Sequence, residues 1–252
     1  MIKLSTVIIT FNEEKNIRRC LDSVQRVSDE VIVVDSFSAD GTEAICREYG
    51  VKFMQHAFKG HIQQKNYALE QAASPYVLSL DADEALDERL QDEIIKIKKD
   101  WQADSYNFNR LTNYCGQWIR HSGWYPDVKT RLWDKRKGKW GGRNPHDKVI
   151  MEPSASQRHI PGNLLHFSFY TIAQHLEQIN KFSGIKAQGL YERGKNAGWV
   201  KLWFSPFIKF VRDYFLKLGF LDGFYGLVIC MNSAHSNFLK YAKLRELYKS
   251  DK

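Results

Sequence analysis

Asp81 and Asp83 stand two residues apart, just after the apolar run Tyr76-Val-Leu-Ser-Leu80. That run reads as a buried strand. In extended backbone, side chains at i and i+2 leave on the same side, so the two carboxylates can converge on one point. In an open α/β sheet, ligands bind beyond the carboxyl ends of the strands. Two hard oxygen donors there suit a divalent cation, and such a cation can hold a diphosphate. The plainer alternative is a polar turn whose aspartates cap the helix that follows.

The elements before this pair fix where it sits. Leu4–Ile9, Val31–Val34, Val51–Met54 and Tyr76–Leu80 read as strands. Helical signals lie between and after them, at Glu14–Val27, Thr42–Tyr49, Ile62–Ala73 and Asp87–Lys99. Ile17, Cys20, Leu21 and Val24 form one apolar stripe on the first of these. Strands alternating with helices predict a mostly parallel sheet. Residues 104–168 change character, with short strand-like runs at Ser105–Asn109, Val128–Trp133 and Lys148–Met151. From Tyr170 the pattern is helical and amphipathic to the end. The expected division is a main part at 1–169, in two halves, 1–100 and 101–169. A helical extension at 170–252 completes it.

Composition narrows the classes. Among 252 residues, 43% are hydrophobic and 26% charged, as in an ordinary globular chain. The net charge of +8 favours an anionic partner such as a nucleotide, a nucleic acid or an acidic lipid surface. The four cysteines, Cys20, Cys46, Cys115 and Cys230, show no metal-site or redox spacing and read as reduced thiols. Met1-Ile-Lys runs straight into a strand pattern, with no signal peptide evident. No apolar run reaches the ~20 residues of a membrane span. A cytoplasmic protein is expected.

The other strand ends carry polar groups. Strand one ends in Thr10-Phe-Asn-Glu13 and lacks the Gly-x-Gly-x-x-Gly turn, and the chain has no P-loop. A metal and basic side chains would then have to hold any phosphates. Strand two ends at Asp35, which can accept hydrogen bonds from a base or a ribose, while Asp40 or Thr42 suits a helix cap. Lys65 opens a helix where it can meet a phosphate, or it can be an exposed helix lysine.

Together, Val7-Ile-Ile-Thr-Phe-Asn-Glu13, Val33-Val-Asp-Ser-Phe-Ser-Ala-Asp-Gly-Thr42, Gln64-Lys-Asn66 and Leu80-Asp-Ala-Asp-Glu84 resemble the family 2 glycosyltransferases of the GT-A fold. The likeness implies a Rossmann-like nucleotide-sugar-binding sheet and a nucleotide-diphosphate sugar donor. Carried over, Thr10, Asn12 and Glu13 line the nucleoside pocket, Asp35 contacts the base, and Lys65 lies near base and phosphates. Asp81 contacts ribose or metal, and Asp83 ligates the metal, Mg2+ or Mn2+. The family's frequent Asp-Asp-Gly-Ser run is spread here into Asp35-Ser-Phe-Ser-Ala-Asp40. Tyr125-Pro-Asp-Val-Lys-Thr-Arg-Leu-Trp133, Trp140-Gly-Gly-Arg-Asn-Pro-His-Asp147, Leu165-His-Phe-Ser168 and Leu218–Gly226 are similar to the short lipopolysaccharide-core enzymes of bacteria. Those usually carry His-Glu where this chain has His146-Asp147.

Such a transfer needs a stabilised diphosphate and a base for the acceptor hydroxyl. Arg131 or Arg143 suits the phosphates. Asp147 is the first candidate base and Asp127 the second, with His146 to orient Asp147 or touch the acceptor. His166 is either a third metal ligand, as in related GT-A enzymes, or a structural histidine. One base and in-line attack give inversion. The expected function is therefore a metal-dependent inverting hexosyltransferase. It would carry sugar from a UDP-hexose to a lipid-linked or lipopolysaccharide-core saccharide. A polyprenyl-phosphate sugar transferase is the alternative within the class. A basic nucleic-acid-binding protein is the alternative outside it, and carboxylates at three strand ends count against that. The Trp, Phe, Lys and Arg of Leu202–Leu218 suit the surface of the inner membrane, or packing against the protein itself. A homo-oligomer is compatible with the sequence.

Overall fold

A computed structural model describes residues 1–143, 146–196 and 198–250; the side chains of Arg143, His146 and Ser250 are not described. The chain divides into two compact units, 1–111 with 127–167 and 112–126 with 168–252.

The first unit opens with β1 (Leu4–Thr10), α1 (Ile17–Val24), β2 (Glu30–Asp35), α2 (Thr42–Glu48), β3 (Lys52–Gln55), α3 (His61–Glu70) and β4 (Tyr76–Asp81). Then come β5 (Glu84–Leu86), α4 (Glu88–Lys99) and β6 (Ser105–Tyr114), the last running on into the second unit, where β7 (Gln117–Ile119) folds back on its end. The remaining strands are β8 (Asp127–Asp134), β9 (Gly138–Arg143), β10 (His146–Met151) and β11 (Gln157–Phe169). The main sheet runs β3-β2-β1-β4-β8-β6-β11-β5, and β9 and β10 form a separate antiparallel hairpin.

β3, β2, β1 and β4 are parallel, so their carboxyl ends share one edge of the sheet. The register sets Thr10 beside Asp35 and Ile9 beside Asp81. Alternation along the strands buries both faces. Leu4 and Ile8 of β1 and Leu78 and Leu80 of β4 pack with Ile17 and Leu21 of α1 and Leu90 and Ile94 of α4. Val7, Val34 and Val77 pack in a second cluster with Ala68 and Leu69 of α3 and with Trp133 and Trp140. This is the two-sided burial that near-continuous apolar strands foretell.

The early elements match the periodicity, with α1 starting later than the pattern suggests. β11, thirteen residues long, does not show in the sequence. Pro161 and Gly162 break its pattern, and such residues ordinarily speak against a strand. Gly162 has φ +105, and a Cβ there would lie 2.6 Å from the backbone nitrogen of Leu90 in α4. Only glycine allows that approach.

The second unit adds α5 (Ile172–Tyr191), α6 (Trp199–Val211) and α7 (Gly223–Ser250), with a π turn at Arg212–Leu216 and a 3-10 turn at Gly219–Asp222 between the last two. Tyr114, Ile119, Phe169 and Ile229 form its core. Thr171 and Gln174 close a reciprocal capping box at the start of α5. Among the described residues no single helix is long and apolar enough to cross a membrane; α6 and α7 pass that test only as a pair, bent by 73°. All four cysteines are free.

Candidate active site

The parallel strand ends open on a cavity of 580 Å³, within the range of small-ligand sites. Thr10 and Glu13 from the end of β1, Asp81 and Asp83 from the end of β4, and His166 from β11 all border it. Phe11, Phe58, Ser36 and His61 complete much of its wall. Phe11 and Phe58 are more than half exposed, an unusual state for phenylalanine and a suitable one for stacking on a flat ring. Thr10 Oγ1 is buried without a hydrogen-bond partner among the described residues, the kind of group that a ligand or water satisfies.

His166 reaches this edge because β11 pairs with β5 in a register that sets His166 opposite Glu84. The Phe167 amide donates to the Asp83 carbonyl at 2.9 Å, fixing the turn. His166 Nε2 then lies 3.2 Å from Asp83 Oδ2. Donors on adjacent corners of an octahedral ion at about 2.1 Å are roughly 3 Å apart, so this carboxylate and imidazole fit two positions of a divalent cation. Among the described residues no group of three or more His, Cys, Asp or Glu side chains forms a ready cage. Water and the oxygens of a bound anion would supply the remaining positions, as is usual for Mg2+.

Asp81 serves a second structure. Lys65 Nζ lies 2.9 Å from its carboxylate and 2.8 Å from Asp147 Oδ2, and it sits 4.3 Å above the Trp140 ring. Arg131 Nη2 is 3.1 Å from Asp81 and 2.6 Å from Glu84. Lys65 and Arg131 are 3% exposed and Glu84 1%. Burial alone would raise the Asp81 carboxyl, but Lys65 and Arg131 outweigh it and hold the group well below the usual carboxylate range. Next to this network lies a cavity of 560 Å³ bordered by Asp81, Lys65, Arg131, Arg110, Trp140 and Asp147, among others. Asp81 therefore borders both cavities.

The candidates thus fall into groups. Thr10, Glu13, Asp81, Asp83 and His166 share the first cavity, and Lys65, Arg131 and Asp147 join Asp81 at the second. Asp127 is tied to Arg110 at 2.8 Å and to Lys129 at 2.9 Å, both of which border the second cavity. Asn12 and Asp35 serve the loop after β2: Asn12 Oδ1 accepts from the Ala39 amide, and Asp35 accepts from the Ser38 amide and hydroxyl. The side chains proposed for Arg143 and His146 lie outside the described residues. Glu84, Arg110 and Trp140 were not singled out in the sequence. Glu84 was legible in Asp81-Ala-Asp-Glu84; Arg110 reaches the site only through the sheet order, and Trp140 through the β9 hairpin, whose backbone bonds Asn66 of α3.

A model of glycosyl transferase family 2 matches residues 5–157. A lipopolysaccharide core biosynthesis glycosyltransferase, LpsC of Rhizobium meliloti, is 30% identical over 96% of this chain and 92% of its own. A glycosyltransferase of Rickettsia typhi is 32% identical over 98% of this chain and 88% of its own. S. aureus TarS is 15% identical, with TM-score 0.46 over 98% of this chain and 55% of that one, too slight a likeness to bear on the site. The chain belongs to glycosyl transferase family 2, and its sheet is of the GT-A type with a helical C-terminal extension.

Burial pushes the Glu13 carboxyl up to about 7, and the negative charges of Asp83, Asp40 and Asp81 add to the rise against a hydrogen bond from Asn16. A raised carboxyl favours the folded state in its protonated form. Its stabilisation is complete below pH 4.5 and is lost as pH rises through about 7. Glu13→Gln removes that loss. In urea titrations with chelator present, the stability of the variant relative to the native chain should grow between pH 4.5 and pH 8 by up to about 3 kcal/mol. Parallel pH curves would refute the burial of this charge.

Proposed function

We propose that the chain transfers a hexose, with inversion, from a UDP-sugar to a lipid-linked saccharide of the lipopolysaccharide-core type. The observation that carries this is Asp81, which stands between a strand-end cavity holding Asp83 and His166 and a charged cavity holding Asp147. A donor in the first cavity and an acceptor in the second would meet at that residue. The kinship with a lipopolysaccharide core enzyme supports the acceptor class.

In this reading Phe11 and Phe58 stack on the base and Thr10 donates to the nucleoside. Asp83 and His166 would hold Mg2+ or Mn2+, and such an ion would supply charge neutralisation for the departing diphosphate. Asp147 takes the proton from the acceptor hydroxyl. That oxygen bonds to the anomeric carbon while the bond to the diphosphate breaks, and the electron pair leaves with the phosphate. Attack from the opposite face turns an α-linked donor into a β-linked product. Lys65 positions Asp147, and Arg131 holds Asp81 in place. Asp127 is the second candidate base; its two cationic partners make it the less available of the two.

The acceptor class implies work at a membrane surface, here the cytoplasmic face of the inner membrane. Trp199, Val200, Trp203, Phe204, Phe207 and Ile208 repeat along α6 at helical spacing and are each more than 60% exposed. Exposed apolar area of this extent marks an interaction surface, and an interfacial helix presents it to lipid.

Asp83→Ala should abolish transfer and leave circular dichroism unchanged. In calorimetric titrations it should also remove the dependence of UDP binding on Mn2+; equal UDP affinity with and without metal in the native chain would sink the metal role.

Asp147→Asn should lower turnover by about 10²-fold or more with donor affinity little changed. If Asp127→Asn fails while Asp147→Asn keeps its rate, the base is Asp127.

Flotation with vesicles containing anionic lipid should carry the native chain upward at low salt and less so at high salt. Trp203→Glu with Phe207→Glu should leave it at the bottom with its melting temperature intact. A native chain that never floats would exclude the membrane role of α6.

A further inference from the structure

The charges along α6 and α7 do more than decorate an apolar face. A groove of 440 Å³ runs beside α6, bordered by Lys201, Lys209, Arg212 and Asn237 together with Phe204 and Ile208. Three cations, an amide and the serine Ser205 thus border a space whose remaining wall is apolar. Further cations stand close behind. Partial burial and the like charges of Lys240 and Lys209 lower the Lys186 ammonium from its ordinary value. Lys240 donates to Asn237 Oδ1 at 2.6 Å, and the Asn237 amide reaches Ser205 Oγ.

The carboxylate that answers this group is Asp213, 1% exposed and bound by both Lys209 and Arg212. Asp213 pairs with Lys209 and Arg212, while Lys201 borders the groove and Lys186 and Lys240 add further positive charge from α5 and α7. Crowded like charges at this density call for an anion. The groove's composition says what kind. Its donors suit a phosphate oxygen. Phe204 and Ile208 belong to the apolar stripe exposed along α6, so a ligand held here would have one polar and one greasy end.

We propose that this groove is a binding site for the phosphate headgroup of an anionic phospholipid, with its acyl chains lying along the exposed stripe of α6. The proposal rests on the membrane reading above and is narrower than it. Diffuse attraction to an acidic leaflet depends on total charge; a headgroup site depends on which charges are removed.

Two variants of equal net charge separate these. Lys201→Gln with Lys240→Gln removes one cation that borders the groove and one that holds its Asn237, whereas Lys195→Gln with Lys249→Gln removes two lysines elsewhere on the same unit. Binding to vesicles of phosphatidylcholine with phosphatidylglycerol is measured for both, with melting temperatures as the fold control. The groove variant should lose about tenfold or more in affinity and the control variant little. Equal losses would overturn the site while leaving the membrane reading standing; a native chain that binds no vesicle overturns both. In a second arm, short-chain phosphatidylglycerol below its micelle concentration should raise the melting temperature of the native chain and not that of the groove variant. An equal rise with inorganic phosphate alone would show a free-anion site and overturn the lipid assignment.

Discussion

Four linked charges hold the centre of the first unit together. Lys65 from α3, Arg131 from β8, Asp81 from the end of β4 and Glu84 from β5 pair at distances of 2.6 to 3.1 Å. Removing one member of such a set strands its partner in a low-dielectric interior, at a cost of about 3–5 kcal/mol. Well-packed apolar residues could hold these elements equally well. Stability alone therefore does not account for the arrangement. It fixes the one carboxylate that borders two cavities, and it does so with partners from elements on either side of β4. The Glu84 side chain also accepts from the Asp81 amide at 3.0 Å, so Glu84 holds the Asp81 backbone directly and its carboxylate through Arg131.

Much of this was visible in the sequence. The four parallel strands, the carboxylates at their ends and the Asp81/Asp83 pair follow from apolar runs and from the two-residue repeat. What was hidden is contact at long sequence range. Arg110 and Trp140 have no local pattern that marks them, because their roles depend on β8 lying between β4 and β6 and on the β9 hairpin lying against α3. His166 was read from a resemblance and a nearby apolar run, yet what delivers it is a thirteen-residue strand interrupted by Pro161 and Gly162. Asn12 and Asp35 show the reverse case. Their motif was plain, but in the structure their side chains serve loop hydrogen bonds that no spacing rule reveals.

The second unit obeys a different economy. Its buried acids, Asp213 and Asp222, sit in the two turns that separate α6 from α7. Asp222 accepts from the Arg120 and His121 amides and pairs with the His121 ring at 2.9 Å. Asp213 is bound by Lys209 and Arg212. Polar groups thus occupy the interior of the bend while Phe215, Leu216, Leu221 and Phe224 remain outside. This reverses the usual order of a soluble helix pair. In the sequence Leu218–Gly226 carries a family likeness and the rest an amphipathic mixture, and no periodicity tells which aspartate is buried.

Gly162 carries a consequence for how the site is assembled. Leu90 leaves no room for any side chain at that point of β11. A slip of one residue would press Pro161 or Asn163 against the α4 backbone. It would also turn every alternate side chain of β11 to the other face. Four residues further on, that slip would take His166 away from Glu84 and Asp83. The missing side chain at 162 thus works as a notch in a key. It admits one pairing of β11 with its neighbours, and that pairing alone delivers an imidazole to the strand-end carboxylate.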